Sequence, residues 1–215
     1  MKCYNAFMSL HPPHRQVIVR PLNACLEQIQ RGKALRRSFM ADSIALPADN
    51  PLLQPLLDAV QLFTALQIPY ALIGGIAAML YGRARFTDDV DFVAAAGHQD
   101  VLAAHPDIMR KFHFDPSSTW KLYHDSSVEI DIWKDEHTDG IALRAQEVEF
   151  QSHILRVADV HDLIAMKLRA GRLQDDYDIG EIARSTIIHE GTLQQLISPT
   201  QFERFRQIRL RATAQ

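Results

Sequence analysis

Residues 70–93 read YALIGGIAAMLYGRARFTDDVDFV, with two glycines near one end and a carboxylate pair near the other. The apolar run 70–73 is bounded by Gly74 and Gly75, and residues 76–81 then carry Ala and Leu at helix-compatible spacing. The segment therefore reads strand, glycine turn, helix. Such a turn suits phosphate. Glycines let the backbone approach an anion closely, and the unpaired N–H groups and positive end of the following helix attract it. A loop over 82–87 leads to a second strand over 88–93. With a side-chain period of two, Asp89 and Asp91 share one face while Val90 and Phe92 point to the other. Two carboxylates on one strand face repel unless a cation lies between them, and hard oxygen ligands suit Mg²⁺.

Working outward, Asn50 and Pro51 form a helix start, followed by Leu53, Leu56, Leu57, Val60 and Phe63 at helical spacing. Residues 97–112 read as helical with a break at Pro106. Residues 120–123 and 128–133 read as strands flanking the turn-like Asp125-Ser126-Ser127. In the second of these, Val128, Ile130 and Ile132 alternate with Glu129, Asp131 and Trp133, which puts Asp131 on the polar face. If that strand lies beside the Asp89/Asp91 strand, Asp131 completes a three-acid cluster that one strand cannot supply. Residues 147–150 and 154–157 read as a hairpin. Asp159 then caps a helix over 160–170 that Gly171 ends in a left-handed conformation. Further helices are expected from about Asp175, over 192–197, and from Ser198-Pro199 to about Arg211.

The fold class is therefore α/β (α+β), mixed at first and mostly helical at the end. The expected organisation is an N-terminal extension over 1–49, a core over 50–158 and a helical C-terminal part over 159–215. Within the extension, residues 16–19 suggest a strand and 23–39 a basic helix, and Met40 is a candidate alternative start.

The 215 residues suffice for one full core, and shares of 47% apolar and 23% charged residues describe an ordinary globular protein. A net charge of −3 argues against a generally cationic nucleic-acid binder. The clusters Arg31, Lys33, Arg36, Arg37 and Arg204, Arg206, Arg209, Arg211 read as solvated helix faces. Cys3 and Cys25 show neither metal spacing nor a disulfide framework, so a reducing, cytoplasmic setting is expected. No apolar run approaches the roughly 20 residues of a membrane span, and the N-terminus lacks a signal-like apolar core. The histidines show no metal-binding spacing, and His105, His113, His124 and His161 read as surface residues.

Gly74-Gly75, the spacing to Asp89-Val90-Asp91 and the later strand acid Asp131 together resemble the nucleotidyltransferase superfamily related to DNA polymerase beta. The string GGIAAMLYGRARFTDDVDF is similar to small bacterial nucleotidyltransferases of the abortive-infection toxin type. DLIAMKLRAGRLQDDYDI, residues 162–179, is similar to the helical segment that follows the catalytic sheet in those proteins. The matches span residues 70–182, about half the chain.

The resemblance implies a mixed sheet flanked by helices and the transfer of a nucleoside monophosphate from a nucleoside triphosphate to an acceptor hydroxyl, with release of pyrophosphate. It implies that Gly74 and Gly75 hold the triphosphate, that Asp89 and Asp91 ligate Mg²⁺, and that Asp131 binds a second Mg²⁺ and accepts the acceptor's proton. Arg85 and Thr87 match an Arg-x-Thr that contacts phosphate or anchors the loop. Lys167 matches a lysine that reaches the triphosphate, the alternative being an exposed helical lysine. Arg172, Asp175 and Asp178 match the same segment, either in catalysis or in a salt-bridge network. Gly75 stands where many relatives carry Ser, so a hydroxyl contact to phosphate is missing. The implied partners are the nucleoside triphosphate, an acceptor (the 3′ end of a tRNA, a protein side chain or a small molecule) and, for a toxin of a toxin–antitoxin or phage-defence pair, an antitoxin. The alternatives are a non-catalytic nucleotide-binding regulatory or antitoxin-like module and an aminoglycoside-modifying nucleotidyltransferase.

Overall fold

The computed structural model describes residues 51–83, 87–115, 118–134, 136–150 and 153–214. The expected extension over 1–49, with both cysteines and the first basic cluster, and Arg85 lie outside the described residues. Helix α1 (Leu53–Ala65) precedes β1 (Tyr70–Leu72), α2 (Gly74–Leu80), β2 (Val90–Ala94) and α3 (His98–Ala103). Strands β3 (Phe112–Asp115), β4 (Ser118–His124) and β5 (Glu129–Trp133) follow, then α4 (Thr138–Arg144) and the hairpin β6 (Gln146–Phe150) and β7 (His153–Val157). Helices α5 (Val160–Ala170), α6 (Leu173–Ser185), α7 (Glu190–Gln194) and α8 (Pro199–Thr213) close the chain. The strands form one mixed seven-stranded sheet in the order β3-β4-β5-β2-β1-β7-β6.

The central strands explain their own composition. β1 is buried throughout, and β2 is buried except at Asp91, as expected for strands covered on both faces. Phe63 of α1 stacks on Tyr70 with ring centroids 5.2 Å apart, and Phe92 meets both rings edge-on. These aromatics, with Leu56, Leu72, Ile76, Met79 and Ile130, form the interior of the core. Each such side chain contributes about 1.5–3 kcal/mol through removal from water.

Two polar pins fix the helices on this sheet. Asp58 of α1 receives hydrogen bonds from Lys111 (2.8 Å), His124 (2.9 Å) and Gln54 (3.0 Å). Burial pushes its carboxyl up, but these donors outweigh burial and hold it below the ordinary value. Asp159 caps α5, accepting from the His161 backbone N–H and from His161 Nδ1, while His161 Nε2 accepts from the His189 N–H. His124 and His161 are therefore buried, contrary to their expected surface position, because each ring bridges two elements; His105 and His113 are exposed. The Tyr81 hydroxyl donates to the Ala158 carbonyl at 2.7 Å, and Thr186 donates to the Tyr81 carbonyl at 3.0 Å, which ties α2 to the helical part.

Gly171 takes φ 68° and ends α5 in the left-handed conformation, and Ser198 with Gln201 forms a capping box at α8, both as the sequence indicates. Helix α1 begins at Leu53, two residues after Pro51, with no side-chain cap; Asn50 lies outside the described residues. The segment after α3 is not one broken helix, since it turns and enters β3 at Phe112. Helix α4 is an element the sequence does not announce. No helix among the described residues is long and apolar enough to cross a membrane.

Candidate active site

The site forms where β1, β2 and β5 lie side by side. β2 runs parallel to β5 in a register that puts Asp91 directly opposite Asp131. Asp89 lies one step before β2, two residues from Asp91, and so reaches the same face. Carboxylate oxygens of Asp89, Asp91 and Asp131 all lie within 4.8 Å of one another. Oxygens on opposite sides of one Mg²⁺ are about 4.2 Å apart, so a small inward rotation, or a second ion, accommodates the spacing. The donor set fits: three hard anionic oxygens, with no imidazole or thiolate joining the cluster among the described residues, match Mg²⁺ or Mn²⁺ rather than zinc.

The glycine end of the motif meets the acid end in space. The Ile73 N–H donates to the Asp91 carbonyl at 2.9 Å, which brings the start of α2 against β2. Gly74 has φ +63°, and a Cβ there would lie 1.8 Å from Asp91 Oδ2. The glycine is thus required twice, by the left-handed backbone and by the carboxylate that fills the side-chain space. The two glycines open α2 instead of forming a separate turn before it. Gly75 is buried beside Gly74.

The surrounding charges orient the acids. The buried Thr87 hydroxyl donates to Asp89. The Trp133 indole N–H reaches Asp91 Oδ1 at 3.4 Å. Lys121 of β4, also paired with Glu129, lies 3.5 Å from Asp131. Burial pushes the Asp131 carboxyl above its ordinary value; the charges of Glu129 and Asp89 push the same way, against the pull of Lys121.

Opposite elements complete a cavity of about 370 Å³, lined by Ile73, Gly74, the three acids and Trp133 and, from α5 and the start of α6, by Leu163, Met166, Lys167, Arg169, Ala170, Arg172 and Asp175. Lys167 is buried, with its ammonium 2.6 Å from Asp178 and 3.4 Å from Asp175. Arg83 pairs with Asp178 at 3.0 Å, and Arg172 with Asp175 at 2.8 Å. Burial opposes ionisation of Asp175, yet Arg172 and Lys167 hold its carboxyl below the ordinary value. Lys167, Arg172, Asp175 and Asp178 therefore form one ion-paired network along the helical wall. Arg169 carries no motif in the sequence. Its Nη2 is shielded from solvent and has no hydrogen-bond partner among the described residues, leaving a donor available on a cavity-lining side chain. Alternation puts Trp133 on the face of Asp131, but its place in the cavity, like that of Met166, depends on how β5 and α5 pack and not on any local motif.

The chain is structurally similar to nucleotidyltransferase-like proteins. One is an antigenic nucleotidyltransferase-like protein from Paracoccidioides brasiliensis, at 18% identity over 75% of this chain and 89% of that one, with a TM-score of 0.49. Another is ANT(2'')-Ia in complex with adenylyl-2''-tobramycin, at 13% identity over 72% and 96% of the two chains, with a TM-score of 0.47. A solution structure of the antibiotic-resistance factor ANT(2'')-Ia gives 13% identity over 77% and 93%, with a TM-score of 0.43. No protein-family model and no curated protein matches the chain.

Proposed function

We propose that the protein is a divalent-metal-dependent nucleotidyltransferase that moves a nucleoside monophosphate from a nucleoside triphosphate to an acceptor hydroxyl and releases pyrophosphate. The observation that carries this reading is the division of one cavity into a three-carboxylate wall, Asp89, Asp91 and Asp131, and a helical wall carrying Lys167, Arg169 and Arg172. A Mg²⁺–triphosphate complex is positive at the metal and negative at its outer oxygens, so it complements both walls at once.

In this reading Asp89, Asp91 and Asp131 hold two Mg²⁺ ions, which supply charge neutralisation at the triphosphate and favour ionisation of the acceptor hydroxyl. Gly74 and Gly75 hold the triphosphate beside the acids through their backbone, and Arg85 is assigned to the same phosphates by its sequence match alone. Thr87 and Trp133 hold the carboxylates of Asp89 and Asp91 in orientation, as outer partners of metal ligands do. Arg169 and Arg172 offer donors to the phosphate oxygens, and Lys167 contributes its charge while fixing α5 to α6. Asp131, facing Asp91 across the β2–β5 pair, accepts the proton of the attacking hydroxyl. The resemblance of residues 74–92 and 162–179 to abortive-infection type nucleotidyltransferases supports a cytoplasmic toxin role opposed by an antitoxin, with the end of a tRNA, a protein side chain or a small molecule as acceptor.

The test is label transfer from α-labelled and γ-labelled nucleoside triphosphates, with Mg²⁺, to a cell lysate fractionated into RNA, protein and small molecules. The reading expects label from the α position only. Transfer from the γ position, or from neither, overturns it.

A further inference from the structure

We infer that Trp133 is the stacking platform for the base of the nucleoside triphosphate and so sets the affinity of the site for nucleotides over other polyphosphates. The inference rests on the nucleotidyltransferase reading and deepens it. Three features of Trp133 support it. It ends β5 two residues after Asp131, and the period of two puts its ring on the face that carries the acids. It lines the cavity beside the acids and is 51% exposed, which leaves ring surface open to a ligand there. Its indole N–H is committed to Asp91 Oδ1, which fixes the ring by its edge and leaves its π-face as the remaining contact surface.

The cavity's composition points the same way. Its lining divides into an ionic portion and an apolar one made by Ile73, Trp133, Leu163, Met166 and Ala170. A metal-bound triphosphate uses only the ionic portion. An apolar portion that includes an indole and a methionine fits a flat aromatic ring, with sulfur and π contacts adding to its burial. A nucleoside triphosphate joins these two chemistries in one molecule. Because stacking depends on the π-face, which every base has, Trp133 favours nucleotides without selecting strongly among bases.

The full-length protein is titrated with ATP, GTP, CTP and UTP, and separately with inorganic tripolyphosphate, each with Mg²⁺, following tryptophan emission and calorimetric heat. The chain has two tryptophans, so subtracting the signal of Trp133→Phe, in which Trp120 alone emits, isolates Trp133. The expected result is quenching of Trp133 by every nucleotide but not by tripolyphosphate. Trp133→Ala should weaken nucleotide binding about tenfold or more beyond any loss of tripolyphosphate binding, while Trp133→Phe, which loses the same N–H to Asp91 but keeps an aromatic face, retains most of the preference for nucleotide over tripolyphosphate. Nucleotide affinity equal in Trp133→Ala and wild type, or equal losses for nucleotide and tripolyphosphate, overturns the stacking inference and leaves the nucleotidyltransferase reading intact. Failure of the wild type to bind either ligand overturns both.

Discussion

Replacing Gly74 by alanine puts a methyl group where the structure has a carboxylate. The new Cβ would lie 1.8 Å from Asp91 Oδ2, 2.4 Å from its Cγ and 2.7 Å from its Cβ. Rotating the Asp91 side chain relieves the first two contacts, but the third yields only if the backbone of β2 or of the α2 start moves. The left-handed backbone at φ +63° costs about 1–2 kcal/mol for a residue with a Cβ. Overpacking adds about 1–3 kcal/mol, for a total of about 2–5 kcal/mol. At about 2–4 °C per kcal/mol for a chain of this size, the melting temperature should fall by roughly 4–20 °C. Activity should fall further than stability. Asp91 must leave its place among the three acids, and a displacement on the order of 1 Å costs about 10²-fold in rate. Thermal unfolding by circular dichroism and nucleotidyl transfer at a temperature where the variant stays folded would separate the two effects. A Gly74→Ala protein that melts with the wild type and transfers at its rate would refute the close approach of Gly74 to Asp91.

The carboxyls of Asp58, Asp159 and Asp175 lie below their unfolded value of 3.8. Their stabilisation is present above that value and is lost as pH falls through the lower folded ones. Chemical denaturation should therefore give a stability that is flat above about pH 5 and falls below about pH 4. Each group contributes at most about 1.4 kcal/mol per pH unit, and Asp131, displaced upward, reduces the net loss. Asp58→Asn should make the acid limb shallower, whereas stability that rises into acid would contradict the assignment. Lys167→Met leaves Asp175 and Asp178 buried without their shared cation and should cost about 3–5 kcal/mol. Lys167→Met/Asp178→Asn should recover part of this, and a Lys167→Met protein as stable as wild type in urea would exclude the network as a structural element. Chelation of divalent ions should abolish transfer and leave the far-ultraviolet dichroism unchanged, with Mg²⁺ restoring activity; transfer that persists in chelator would remove the metal from the account.

The parts of this architecture that were legible in sequence are those written in local periodicity and chain punctuation. Alternation in residues 128–133 puts Asp131 on a polar face, and the parallel register of β2 with β5 brings it opposite Asp91. Asp159, Gly171 and Ser198-Pro199 mark helix ends because their side chains or φ preferences act within one turn. Short elements were not legible. β3 has four residues, and α4 has seven with no capping side chain, so neither builds a periodic signal, and both depend on packing against β4 and the sheet. The helical wall was legible only as residue types. That Lys167 is buried rather than solvated follows from Asp175 and Asp178 meeting it across the α5–α6 turn, a tertiary relation. Trp133 and Arg169 join the site for the same reason.

The central claim is that Asp89, Asp91 and Asp131 act together as the metal-holding acids of a nucleotidyl transfer. It is tested most directly by the rate of α-label transfer in the three single variants Asp89→Asn, Asp91→Asn and Asp131→Asn, each checked for folding and assayed with Mg²⁺ against the wild type. The account predicts that each substitution alone lowers the rate by about 10³-fold or more, because residues that act as one unit fail together. Variants that remain folded and transfer at close to the wild-type rate would contradict it.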